Sequence, residues 1–172
     1  ALYILKNSQG CEVAITNYGG AICSIMVPDK NGNYANVIQG HDSIDNLLNS
    51  PEPFLSTLVG RYGNRICKGK FTIDGKEYNL AINNGPNHLH GGSKGFANRY
   101  WEGRVETNRV VFSYVSEDME QGYPGELIVE AIYDFDDEDN LEITYIAKSN
   151  KNTVCNLTNH LYWNLHGEGS DK

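Results

Sequence analysis

The sequence predicts an antiparallel all-β fold, a sandwich or a barrel. Three observations predict it. Glycine is abundant at 18 residues against 5 prolines, Tyr, Val and Ile recur in short runs, and turn signals come every ten or so residues. In chain order, residues 11–17 and 20–27 read as a hairpin turned at Gly19-Gly20. Ser43 to Leu48 is the one stretch that reads as helical, and it is short. A second hairpin runs from Gly69 to Leu80 around Asp74-Gly75, a pair in which both positions tolerate positive φ. A third pairs Tyr100–Glu106 with Val110–Ser116 around Thr107-Asn108-Arg109.

Glu126 to Phe135 is the clearest strand. Leu127, Val129, Ala131, Tyr133 and Phe135 occupy one face, and Ile128 and Ile132 add apolar area to the other. A central strand covered at least in part on both sides is expected. An acidic turn, Asp136 to Asn140, leads into Leu141–Ala147, where Leu141, Ile143, Tyr145 and Ala147 share a face, and the two stretches read as a fourth hairpin. Strand character continues to about residue 161, and the chain then stops in Gly167-Glu-Gly-Ser-Asp-Lys. No repeat, low-complexity segment or linker divides residues 1–172.

Composition narrows the functions. The chain is long enough for one sizeable core, and 40% apolar with 21% charged residues is the balance of a soluble globular protein. With 14 Lys and Arg scattered among 22 acids, the net charge of -8 disfavours nucleic acid and anionic membranes, both of which need clustered cations. A neutral small molecule suits this charge. No apolar run approaches the roughly 18 residues that span a bilayer. The N-terminus lacks the basic start and apolar core of a signal peptide, and it lacks an initiator Met, which suggests processing or a tag remnant. Cys11, Cys23, Cys67 and Cys155 are far apart and form no C-x-x-C pair, so four free thiols in a reducing cytoplasm are expected.

Two histidine settings could carry chemistry. In Asn87-His88-Leu-His90-Gly-Gly, an extended segment would put both imidazoles on one side. They could then ligate a metal, although no third ligand follows from the spacing, or simply hydrogen-bond the backbone of a turn. In Asn156-Leu-Thr-Asn-His160-Leu-Tyr162, strand spacing puts Asn156, Thr158, His160 and Tyr162 on one face. An amide, a hydroxyl, an imidazole and a phenol are costly to bury unpaired, and they suit a sugar whose hydroxyls donate and accept. A satisfied core network is the competing explanation. Gly60-Arg61-Tyr62-Gly63-Asn64-Arg65 offers two guanidinium forks, to orient hydroxyls or to form surface ion pairs. Glu117-Asp118-Met-Glu120 reads as a solvated loop. Nucleotide cradles of the Walker or G-x-G-x-x-G type and a G-x-S-x-G nucleophile elbow are absent.

Taken together and in order, several segments resemble the aldose 1-epimerase (galactose mutarotase) family, specifically its N-terminal half. They are Gly60 to Ile66, Gly69 to Leu80, Asn87 to Gly92, Gly95-Phe96 with Trp101, Gly122-Tyr-Pro-Gly-Glu126, and Asn156 to Leu165. The resemblance implies an antiparallel β-supersandwich, here truncated, with a sugar cleft on one sheet. It implies interconversion of the α and β anomers of a free aldohexose such as galactose or glucose, with no metal and no organic cofactor. By matching position, His160 is the expected general acid toward the ring oxygen O5, and His90 is the second cleft histidine. Asn64 and Arg65 are expected to contact sugar hydroxyls, with Leu161 and Tyr162 completing that wall. Trp163 stands where the family often has Phe and is expected on the other face. The family's general base, a glutamate, and a sugar-binding aspartate are expected in a second half outside this chain.

Two alternatives stay open, a non-catalytic carbohydrate-binding fragment and a hexose-6-phosphate 1-epimerase relative. A glycoside hydrolase would need a flanking carboxylate pair that is not recognisable here. Open strand edges are expected to invite self-association or pairing with the remaining half.

Overall fold

The computed structural model describes residues 1–170 and is an antiparallel all-β sandwich. Strands β1 (Leu2–Lys6), β2 (Glu12–Thr16), β3 (Ile22–Pro28) and β4 (Tyr34–Asn36) form one four-stranded sheet in chain order. Helix α1 (Ile44–Leu48) follows, capped by the Ser43 hydroxyl, which accepts from the Asn46 amide at 3.1 Å. Next come short strands β5 (Leu58–Val59), β6 (Arg65–Ile66), β7 (Lys70–Ile73), β8 (Lys76–Asn79) and β9 (His88–Leu89). The second four-stranded sheet is β10 (Glu102–Glu106), β11 (Arg109–Ser116), β12 (Leu127–Phe135) and β13 (Leu141–Ser149), again in chain order. Finally β14 (Thr158–Asn159) pairs antiparallel with β5.

The four expected hairpins form. Asp74 and Gly75 both take positive φ, +52° and +76°, as the two-residue turn between β7 and β8 requires. The third hairpin begins at Glu102 rather than Tyr100, because Trp101 is drawn into the core and its amide is bonded to Asn17 O. The last strand is much shorter than the sequence suggests. After Asn159 the described residues form no further strand, only an isolated bridge between Trp163 and Ile38 and single backbone hydrogen bonds to Asn36, Val37, Gln39, Ser56 and Thr57.

The two large sheets share one core. Val13, Ile15, Ile22 and Ile25 from the first meet Val110, Phe112, Val129 and Tyr133 from the second. The Tyr133 hydroxyl is satisfied by Gly20 O at 2.7 Å, which ties the second sheet to the first hairpin's turn. β12 is central, as expected, with Leu127, Val129, Ala131, Tyr133 and Phe135 all buried. Its other face is only half covered. Ile128 is 46% exposed, and the flanking charges Arg104–Glu130 and Arg109–Asp134 lie on that side instead of a second layer. Leu141, Ile143 and Tyr145 of β13 pack against the common core from the sheet edge. All four cysteines are free thiols, Cys11 buried and Cys67 and Cys155 exposed. Among the described residues no helix is long and apolar enough to cross a membrane.

Candidate active site

The site forms where β14 meets β5 and β6 meets β9. His160 directly follows β14, and its backbone is stitched in place. Its amide donates to Thr57 O at 2.9 Å and its carbonyl accepts from Ser56 at 3.0 Å. The ring lies against Tyr162, stacked at 5.0 Å, as strand spacing of two predicts. The His90 ring stands at right angles to it, with centroids 5.1 Å apart, and Phe54 closes the far side at 4.8 Å. Among the described residues, neither ring nitrogen of His160 bonds to a protein group, so both are open to a solute.

His90 is fixed more tightly. Asn64 and His90 face each other across the end of the β6–β9 ladder and interlock. The His90 amide donates to Asn64 O at 3.1 Å, and the Asn64 amide donates to His90 Nδ1 at 2.9 Å. A backbone N–H can only donate, so Nδ1 must be the unprotonated acceptor and the neutral ring carries its proton on Nε2. The geometry therefore makes His90 a hydrogen-bond donor through Nε2. Burial, then His160, then the Arg65 charge push its pKa down to about 4. The unfolded chain protonates this ring near 6.5. Stability should thus rise with pH between about 4 and 6.5, where the unfolded state binds more protons, and be indifferent to this ring above that window. Thermal unfolding followed across pH should show the fall on acidification, and His90→Gln should flatten part of it.

Arg65 is exposed. Its Nε donates to Asn84 Oδ1 at 2.9 Å and its Nη1 reaches Asn64 Oδ1 at 3.4 Å, so Asn64 and Arg65 form one polar rim beside His90. Leu161 differs from the other five residues named from the sequence. It packs with Leu157 against the main core, so it supports the wall from behind. Asn159, between them, has a buried amide with no hydrogen-bond partner. Trp163 is 57% exposed.

Three readings of the sequence are corrected. His88 and His90 do not lie on one side, because the extended path ends at Leu89 and His90 has φ +53°. His88 is fully buried, with Nδ1 at 2.7 Å from Ala81 O and Nε2 at 2.7 Å from the Tyr123 hydroxyl. Both nitrogens being taken, the two imidazoles do not converge on a metal. Arg61 is neither a hydroxyl clamp nor a surface ion pair. It is 2% exposed and donates to Ser116 Oγ and O, Glu117 O and Pro124 O. Nor is the 117–120 segment simply solvated, since Glu120 turns inward to Tyr114, Ser116 and Arg99.

A cavity of about 630 Å³ lies elsewhere, bounded by Leu2, Ala14 and Met26 of the first sheet and by Leu47 of α1. A groove of about 560 Å³ runs beside Ala147 and Val154. Neither is lined by His90 or His160, whose rings occupy a half-open surface bounded by Phe54, Asn64 and Tyr162.

The family model of aldose 1-epimerase matches residues 1–172. The chain belongs to the aldose 1-epimerase family. It is 48% identical over 163 residues to galactose mutarotase of Bos taurus, a match that covers 95% of this chain and 47% of that one. It is 36% identical over 171 residues to aldose 1-epimerase of Escherichia coli K12, covering 99% and 49%. Among solved structures, the GalM/aldose epimerase homologue of C. elegans superposes with a TM-score of 0.93 at 34% identity, covering all of this chain and 52% of that one. Galactose 1-epimerase of Lactobacillus acidophilus gives a TM-score of 0.82 at 31% identity. This aldose 1-epimerase chain thus spans about half the length of the curated relatives it matches. The imidazole pair and its asparagine-arginine rim lie within the matched region.

Proposed function

We propose that this chain carries the acid side of a sugar mutarotation site, and that the paired imidazoles of His90 and His160 are its working parts. The observation that carries the reading is their contrast at 5.1 Å separation. His90 is tied by a backbone amide into one neutral tautomer, while the ring of His160 is free of protein hydrogen bonds. A fixed donor beside an uncommitted acid suits a ring oxygen that must gain a proton and then lose it.

In this mechanism a base removes the proton from the anomeric O1 hydroxyl while His160 donates one to O5. The C1–O5 bond opens, its electron pair passing to O5, and O1 becomes the aldehyde oxygen. Rotation about C1–C2 presents the other face, and closure reverses both proton transfers, so neither group is consumed. His90 Nε2–H steadies the developing charge near O5, and the Asn64 and Arg65 side chains orient hydroxyls at the rim. The base is a glutamate supplied from outside residues 1–172. Imidazole suits the acid role because one ring nitrogen can give a proton in opening and regain it in closure.

Polarimetry on freshly dissolved α-D-galactose tests this. Residues 1–172 alone should be slower than a chain of full family length by the base's share, about 10²–10⁴-fold. Equal rates from the two would reject a base outside this segment. Sugar binding by the full-length chain without any rate would favour a carbohydrate-binding protein, and preference for glucose 6-phosphate would favour the sugar-phosphate epimerase.

A further inference from the structure

We propose that His88 and Tyr123 are positioning residues for His90: their buried hydrogen bond holds the 88–92 segment on the one backbone path that brings His90 Nδ1 to the Asn64 amide. The proposal rests on His90 being a site residue, and it assigns a purpose to the Gly122-Tyr-Pro-Gly-Glu126 motif, which does not touch the imidazole pair.

His90 is a non-glycine residue at φ +53°, a conformation that persists only when its surroundings over-determine it. Two anchors do so. Downstream, Gly91 has φ +80° and lies so close to Gly60 that a Cβ there would stand 1.8 Å from the Gly60 carbonyl oxygen. Upstream, His88 is fully buried and hydrogen-bonded at both nitrogens. A carbonyl can only accept, so Nδ1–H donates to Ala81 O, and Nε2 accepts from the Tyr123 hydroxyl. Two histidines two positions apart, 88 and 90, are thereby held in opposite tautomers.

Tyr123 is itself immobilised. It is fully buried, stacked on Phe71 at 6.1 Å, and the Arg61 guanidinium stands 6.0 Å over its ring while also bonding Pro124 O. The neighbouring Gln121 Oε1 accepts from the Lys94 amide and lies against Gly92, a second contact between the two segments. Without the phenol, His88 Nε2 would be a buried acceptor with no donor, and the ring could relieve this only by turning or leaving. Either move releases the residue two positions before His90.

The test is imidazole 15N spectroscopy on histidine-labelled protein, using residues 1–172. In the unsubstituted chain, His88 should be protonated on Nδ1 and His90 on Nε2; the same tautomer at both would overturn the proposal. In Tyr123→Phe, the His90 signal should move toward the mixed-tautomer average, and the Asn64 amide should exchange with solvent about five- to tenfold faster. His88→Asn, which keeps a donor for Ala81 O, should shift His90 less than His88→Ala. A remote core variant of similar melting temperature, Phe135→Leu, should leave the His90 signature in place. An unchanged His90 spectrum in Tyr123→Phe would refute the coupling. Should that variant not fold, the His88→Asn and His88→Ala pair still reads the coupling, and a His90 spectrum unchanged in both would refute it. Polarimetry judges His90's catalytic role separately, so failure of the functional reading would not be confused with failure of the positioning.

Discussion

Replacing His160 with alanine in a chain of full family length should slow mutarotation by about 10²–10⁴-fold, the usual share of one general acid. The loss should fall on kcat, because the hydroxyl contacts attributed to Asn64 and Arg65 remain. Folding should survive. His160 is held by its backbone, through the Thr57 carbonyl and the Ser56 amide, and its ring contributes stacking on Tyr162 and an edge contact with His90. His160→Gln should be nearly as slow as alanine, since an amide can hydrogen-bond O5 but cannot give it a proton. Polarimetry with a melting curve separates the outcomes. A variant that folds and retains full rate would remove His160 from the acid role.

The largest effect on stability is expected at Arg61. Arg61→Met keeps the volume of the stem but removes the buried guanidinium, leaving Ser116 O, Glu117 O and Pro124 O without their donor. Each buried acceptor left unpaired costs about 1–3 kcal/mol, so the three together should cost at least about 3–5 kcal/mol, a fall in melting temperature of roughly 6–20 °C for a chain of this size. Burial does pull the Arg61 pKa below its ordinary value, opposed chiefly by Glu120, yet a guanidinium stays charged at any working pH. Arg61→Lys should recover little, because one ammonium cannot reach acceptors arranged around a planar fork. A melting temperature within two degrees of the parent for Arg61→Met would show that the carbonyls find other partners.

Much of the architecture could be read from residue alternation where a strand buries one side, as β2 and β12 do. β12 is the clearest case, where every second residue from Leu127 to Phe135 is buried. The pairing of His160 with Tyr162 followed from the same rule. What alternation could not supply was backbone direction at special residues and partners distant in sequence. His90 leaves the extended path at φ +53°, and the only local hint is the glycine pair that follows it. The burial of Arg61 is set by carbonyls 55 to 63 positions later, beyond any local pattern. Glu120 was misread for a related reason. In sequence it belongs to an acidic run, but in space it answers Arg99 and the Tyr114 hydroxyl.

The union of β14 with β5 also bears on how the molecule is born. Ser56 and His160 are hydrogen-bonded in the finished protein but leave the ribosome 104 codons apart, about 5–20 s at ordinary elongation speeds. Until Thr158 and Asn159 emerge, Leu58 and Val59 have no β14 to pair with, and that side of the candidate site waits as unpaired chain. A nascent polypeptide stalled before that point would expose this apolar seam to chaperones, and one stalled shortly after it would hide it.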